Sequence, residues 1–271
     1  MGLTARQPTE DPRISIVIPA KNEARNLERV LPGLPDAHEV ILVDGDSSDD
    51  TIQVAMSLLP RIKVVQQTRR GKGNALACGF AAATGDVIVM FDADGSADPQ
   101  EIPRFVNALL DGADFAKGSR FCPGGGSSDI TRFRRLGNQF LNRIVNIVLH
   151  TSYTDLCYGY NVFWTDILGH IGLPDPSLAV MNRSGMLWGD GFEIETIINC
   201  RIAAAALSVR EVPSVERSRI YGASNLNAVR DGVRVLRTIL AERLARRPRP
   251  VQPPPQRESA LAVGATSEDV A

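Results

Sequence analysis

VIVMFDADGSADP, residues 87–99, runs from five uninterrupted apolar residues into two aspartates separated by one residue, Asp92 and Asp94, and closes on Asp98 and Pro99. A short continuous apolar run bounded by turn residues is the pattern of a strand buried on both faces. A helix follows over Pro99–Leu110, and proline at its first position makes Asp98 the natural N-cap. Asp92 and Asp94 have no such role. Carboxylates this close raise the energy needed to ionise one another, so a turn, a cation site and an acid/base pair are all open readings.

The same strand-then-helix alternation continues back toward the N-terminus. Ile14–Ile18 reads as a strand followed by a helix over about Ala24–Leu31. Val40–Val43 precedes a helix over about Asp49–Leu59, and Lys63–Val65 precedes one over about Asn74–Ala83. Strands alternating with helices of this length imply right-handed crossovers, and so an α/β fold with a mostly parallel central sheet sandwiched by helices. In such open sheets ligands bind outside the carboxyl ends of the strands. That rule gathers residues 19–23, 44–50, 69–73 and 92–95 in one crevice.

The four clusters differ in chemistry. Arg69, Arg70 and Lys72 lie among Gly71 and Gly73 just before a helix, a combination suited to a phosphate, with a solvated charge run as the plainer reading. The GxxxxGK[ST] spacing of a P-loop is absent. Asp92 and Asp94 offer the hard oxygen ligands that Mg²⁺ or Mn²⁺ takes, commonly one or two carboxylates plus substrate phosphates. A basic glycine loop and a carboxylate pair at one sheet edge are what a metal–diphosphate complex requires. Asp44 and Asp46 are placed to meet a base or a ribose hydroxyl. Their plainer reading is a turn, with Ser48 or Asp49 capping the next helix.

Bulk properties narrow the function classes. A chain of 271 residues with 23% charged residues and a net charge of −1 lacks the basic excess of a nucleic-acid binder. No run of about 18 uncharged apolar residues is present, which argues against a transmembrane helix. The N-terminus, MGLTARQPTEDPR, lacks the apolar core of a secretory signal. Cys78, Cys122, Cys157 and Cys200 form no CxxC pair and read as buried small side chains in a reducing cytosol. His38, His150 and His170 show no metal-binding spacing. A cytoplasmic protein is expected, with a flexible leader over 1–12 and a disordered proline-rich tail over 248–271.

IVIPAKNEARNL, VILVDGDSSDDT, RRGKGNALACGFAAATGD and VIVMFDADGSADP resemble the successive nucleotide-sugar motifs of the family 2 glycosyltransferases. AKGSRF (116–121), TDLCYGYNVFW (154–164), GFEIE (191–195) and VPSVERSRIYGASNL (212–226) resemble the dolichyl- or polyprenyl-phosphate mannose (or glucose) synthases within that family. The resemblance spans about Ile14 to Leu240. It implies one GT-A (Rossmann-like) domain over 13–247, with a nucleotide-sugar half to about 120 and an acceptor half beyond it. It also implies an inverting transfer of a hexose from a donor of the GDP-mannose or UDP-glucose type. Carried over, Pro19, Asn22 and Glu23 line the nucleotide pocket and Asp44 meets the base. Asp92 and Asp94, the DxD motif, hold ribose, diphosphate and metal, while Arg120 and Arg219 contact phosphates. The chain departs from the family pattern at Asp44-Gly45-Asp46-Ser47, at Gly95-Ser96 and at Asn225, where the synthases carry lysine.

A phosphate acceptor needs no general base, whereas a hydroxyl acceptor does. Asp190 or Glu193 would serve as that base, and both also fit a capping pattern before an apolar helix over Ile194–Ala206. Polyprenyl phosphate is the first expectation for the acceptor, a small soluble hydroxyl compound the second. Nucleotidyl transfer is a remote third, since it would place the basic glycine loop after the first strand. Residues 132–149 and 227–247 form basic amphipathic helices. These either pack on their own domain or lie at a membrane interface, so contact with the cytoplasmic face of a membrane, direct or through a membrane partner subunit, is expected to be peripheral.

Overall fold

The structure is a computed structural model describing residues 11–180, 185–222 and 228–245. In chain order the elements begin with β1 (Ile14–Ala20), α1 (Ala24–Val30), β2 (Glu39–Asp44), α2 (Thr51–Leu58), β3 (Lys63–Gln66), α3 (Lys72–Ala82), β4 (Val87–Met90) and α4 (Ile102–Leu110). They continue with β5 (Phe115–Ser119), β6 (Gly126–Ser127), α5 (Arg132–Leu149), β7 (Asn161–Trp164), α6 (Leu168–Ile171), α7 (Ile194–Ala204), β8 (Val209–Pro213), β9 (Val215–Glu216) and α8 (Ala228–Leu244). The leader up to residue 10, the tail from 248, and Asn225 lie outside the described residues.

Among the described residues, seven strands form one sheet in the order β3-β2-β1-β4-β7-β5-β8. The pairs β1–β2, β1–β4, β2–β3 and β5–β8 are parallel, and β7 runs antiparallel between β4 and β5. The sheet is therefore mostly parallel, as the alternation predicts. Period-two alternation sends successive side chains to opposite faces. Ile16 and Ile18 of β1 join Leu27, Ile102, Phe105 and Leu109 under α1 and α4. Val17 joins Leu76, Phe80, Ile194 and Ile198 under α3 and α7 on the other face. A third cluster, with Leu141, Val145, Cys200, Val235 and Ile239, ties α5, α7 and α8 together.

The first four strands match their expected positions, and each expected helix after them is present. The predicted helix over 99–110 opens as a 3₁₀ turn over Pro99–Glu101, capped by Asp98, whose side chain accepts the Gln100 N–H at 3.0 Å. β5 and β7 are strands that the sequence pattern does not announce. β5 carries Lys117 in mid-strand, and that lysine is fully buried with its Nζ 3.3 Å from the Tyr158 carbonyl oxygen. Burial pushes its pKa down. A charged residue at a core position breaks the apolar run by which a buried strand is recognised.

The parallel register brings β1 and β2 to the same edge, with Ala20 opposite Asp44. Gly45 N–H donates to the Ala20 carbonyl at 2.8 Å, continuing the ladder into the loops.

Candidate active site

Asp44 ends β2 and is only 2% exposed. Its Oδ2 accepts the N–H groups of Asp46 and Ser47 at 3.1 Å each, and Gln66 Nε2 approaches the same oxygen at 3.3 Å. Its Oδ1 is buried without a hydrogen-bond partner. A buried carboxylate oxygen lacking a donor is unfavourable unless something supplies one, so the position suits a ligand N–H or O–H. Asp46 is exposed and occupies the left-handed region at φ 63°. Its backbone shapes the turn around Asp44. Asn22, also left-handed at φ 57°, accepts the Ser48 N–H at 2.8 Å and donates its own N–H to Ser47 Oγ at 2.9 Å. The loops after β1 and β2 are thus clasped together, with Pro19 opposite Val43 just before them.

Arg219 joins three parts of the chain. Its Nη2 pairs with Glu23, its Nη1 lies 3.6 Å from Asp94 Oδ2, and its Nε donates to the Tyr221 carbonyl at 2.8 Å. The backbone holds that loop in place, because Ile220 N–H donates to the Asp94 carbonyl at 3.2 Å and Arg217 N–H to that of Ser96 at 2.8 Å. Asp94 Oδ1 accepts the Ser96 N–H at 3.0 Å. Glu23, Asp94 and Arg219, distant in sequence, meet here.

Lys72 and Asp92 meet beside them. Lys72 Nζ lies 2.7 Å from Asp92 Oδ1, 3.0 Å from Oδ2 and 2.8 Å from Glu195 Oε1. Burial opposes the ammonium charge, but the two carboxylates outweigh it and the pKa of Lys72 is raised. Glu195 is not among the residues the sequence singles out in this segment, which are Asp190 and Glu193. Its signal was the second glutamate of GFEIE. Gly159 closes the cluster from the side: a Cβ there would come within 3.1 Å of Glu195 Oε1 and 3.2 Å of Lys72 Nζ.

Three residues expected at the ligand, Arg69, Asp190 and Arg120, are buried and engaged within the protein. Arg69, expected to help hold phosphate, is buried and forms a two-bond pair with Asp190, Nε to Oδ2 at 2.7 Å and Nη2 to Oδ1 at 2.9 Å. Asp190 is 0% exposed and also accepts the Leu187 N–H at 2.7 Å. With both oxygens engaged it is neither placed as a base nor used as a cap. Glu193 instead accepts the Gly191 N–H at 3.2 Å. Arg120, expected at a phosphate, is buried and engaged by Asp155 at 2.6 Å and Glu216 at 3.0 Å. Two carboxylates already satisfy its guanidinium within the protein. Arg70 is exposed.

The start of α3 also departs from expectation. The N–H groups of Gly73 and Asn74 donate to the Asp190 carbonyl at 2.8 and 3.2 Å. A Cβ on Gly73 would stand 1.8 Å from the Gly189 carbonyl oxygen. Glycine is needed there for the close approach of 189–190, and those amides are not free for a phosphate.

For a hard divalent cation the donor set fits. The Asp92 and Asp94 side chains are carboxylates, 37% and 24% exposed. Among the described residues no group of three or more His, Cys, Asp or Glu gathers around a metal position. A cation on this pair would complete its shell with ligand oxygens, as Mg²⁺ does with substrate phosphates.

The sequence profile of Glycosyl transferase family 2 matches residues 15–172. The dolichol-phosphate mannosyltransferase of Pyrococcus furiosus is 36% identical over 132 residues, 46% of this chain and 38% of its own length. The polyprenol monophosphomannose synthase of Mycolicibacterium smegmatis is 30% identical over 233 residues, covering 82% of this chain and 83% of that one. The undecaprenyl-phosphate mannosyltransferase of Micrococcus luteus is 31% identical over 225 residues, 79% of this chain and 88% of its own. The match thus spans well under half of the Pyrococcus protein and most of the other two. In fold, the chain resembles the crystal structure of glucosyl-3-phosphoglycerate synthase from Mycobacterium tuberculosis in complex with Mn²⁺, UDP and glucosyl-3-phosphoglycerate. That likeness has a TM-score of 0.63 at 23% identity, over 85% of this chain and 80% of that one. The fold is GT-A, and the chain belongs to glycosyl transferase family 2.

Proposed function

We propose that the protein transfers a hexose from a nucleotide sugar to polyprenyl phosphate, with inversion at the anomeric carbon, using Mg²⁺ or Mn²⁺ held by Asp92 and Asp94. The observation that carries this reading is the meeting of Asp44, Asp92, Asp94, Glu23, Lys72 and Arg219 outside the carboxyl ends of β1, β2 and β4. Asp44 Oδ1, buried and without a donor, would accept an N–H of the base. Arg219 and Lys72 carry the positive charge nearest the carboxylate pair and would stabilise charge developing on the departing diphosphate. A bound cation would act as Lewis acid and template for that leaving group. The acceptor oxygen forms its bond to the anomeric carbon as the bond to the nucleoside diphosphate breaks.

The acceptor follows from what the carboxylates are doing. Asp190 is fully engaged by Arg69, and Glu195 Oε1 by Lys72. A phosphate acceptor is already an anion and calls for no base, which favours polyprenyl phosphate over a hydroxyl compound. The names of the two relatives covered over most of their length support the same choice.

Among the described residues no helix is long and apolar enough to cross a membrane. Phe133, Leu136, Phe140 and Ile147 of α5, and Val229, Val233, Leu240 and Leu244 of α8, are exposed. Arginines flank both rows. Helices of this kind suit a peripheral bilayer contact at which a lipid acceptor is met. The test is to offer a panel of nucleotide sugars with Mg²⁺, with and without polyprenyl phosphate, and to measure nucleotide release. Release that depends on the lipid is expected. Release indifferent to it would point to a soluble acceptor.

A further inference from the structure

Lys72 spends its hydrogen-bonding capacity on carboxylates alone. An ammonium group has three donors, and Nζ meets three oxygens at 2.7, 3.0 and 2.8 Å, two on Asp92 and one on Glu195. The group is closely lined, since a Cβ on Gly159 would stand only 3.1 Å from Glu195 Oε1 and 3.2 Å from Lys72 Nζ. This is a built cation position, and its occupant is part of the chain. Arg219 makes a looser approach to the other carboxylate, 3.6 Å from Asp94 Oδ2.

We propose that Lys72 is an internal counterion that holds Asp92 in the donor-free protein and must yield it when a divalent cation arrives, turning its freed N–H groups to the diphosphate while Glu195 retains its hold. The proposal rests on the reading of Asp92 as a cation ligand. A bare divalent cation meets a carboxylate already neutralised by an ammonium and is repelled by it. A cation bound with a diphosphate brings oxygens that accept the displaced lysine. Cation and diphosphate binding are then coupled through one side chain, and such coupling is reciprocal. Glu195 is a positioning residue in this scheme, keeping the ammonium near Asp92 after release.

Mn²⁺ binding to nucleotide-free protein, followed by the electron paramagnetic resonance signal of free Mn²⁺, tests this without reference to activity. Lys72→Gln is expected to bind Mn²⁺ about ten-fold tighter than the natural protein, within the usual range for coupled sites. Lys72→Arg keeps the charge and should bind as weakly as the natural protein. Glu195→Gln leaves Lys72 with Asp92 as its only carboxylate and should bind no tighter. Asp92→Asn should abolish the binding in each background. If Lys72→Gln binds Mn²⁺ no tighter while Asp92→Asn abolishes it, Lys72 is a structural salt bridge and the proposal is wrong. Tightening in Glu195→Gln overturns it as well, whether or not Lys72→Gln folds. If Asp92→Asn binds like the natural protein, the cation reading of Asp92 itself fails.

Discussion

Asp190 and Asp94 are both aspartates beside the same crevice, yet opposite outcomes are expected on removing their charge. Asp190 lies buried across two nitrogens of Arg69. Losing one partner of a buried pair leaves an uncompensated charge, at about 3–5 kcal/mol. Asp190→Asn should therefore lower the melting temperature by roughly 10 °C, given that each kcal/mol is about 2–4 °C in a domain of this size. Asp94→Asn, partly exposed, should melt within a few degrees of the natural protein and lose transfer. Differential scanning calorimetry separates the two. An Asp190→Asn protein that melts normally but does not turn over would restore Asp190 as a chemical group. Neighbouring carboxylates are legible in the sequence, because Asp92 and Asp94 stand one residue apart just beyond the end of β4. Their partners are not. Arg69 with Asp190, and Arg120 with Asp155 and Glu216, are pairs between residues distant in sequence, and charge in a sequence does not say whether its counterion is solvent, ligand or another part of the chain.

Among the elements, continuous β-branched runs made β1, β2 and β4 readable, since a strand covered on both faces has little choice but to be apolar. β5 carries its buried lysine, and β7 begins on Asn161, both of whose side-chain polar atoms are buried without partners. Neither strand has the pattern that signals one. The glycine-rich start of α3 suits a phosphate in sequence, with a solvated charge run as the plainer reading. The structure uses its small residues for contact with 189–190 instead. For α5 and α8 the packing expectation holds on one face, which joins a shared cluster with α7, while the other face presents an exposed apolar row. Flotation with phosphatidylglycerol vesicles checks the use of that row. The natural protein should float, and Phe133→Glu combined with Phe140→Glu should stay in the soluble fraction. Equal flotation of the two would remove α5 from any membrane contact.

At the scale of the molecule, parallel strands that end at one edge bring together groups from β1, β2, β4 and the loop after β9. The register of β1 with β2 and of β1 with β4 sets those loop starts side by side. The alternation of strands and helices, with the rule that ligands bind outside the carboxyl ends of parallel strands, gathers residues 19–23, 44–50 and 92–95 at one edge before any side chain is placed. What topology does not reveal is the second half, where Arg219 enters from the loop after β9 and Glu195 from the first turn of α7. The most direct measurement is transfer of labelled hexose from nucleotide sugar into a polyprenyl-phosphate product, with Mn²⁺ present, by the natural protein and by Asp94→Ala. Label in the lipid product with the first and none with the second is the expected result. Transfer by Asp94→Ala at the natural rate, or label that the natural protein places only in a soluble product, would contradict it.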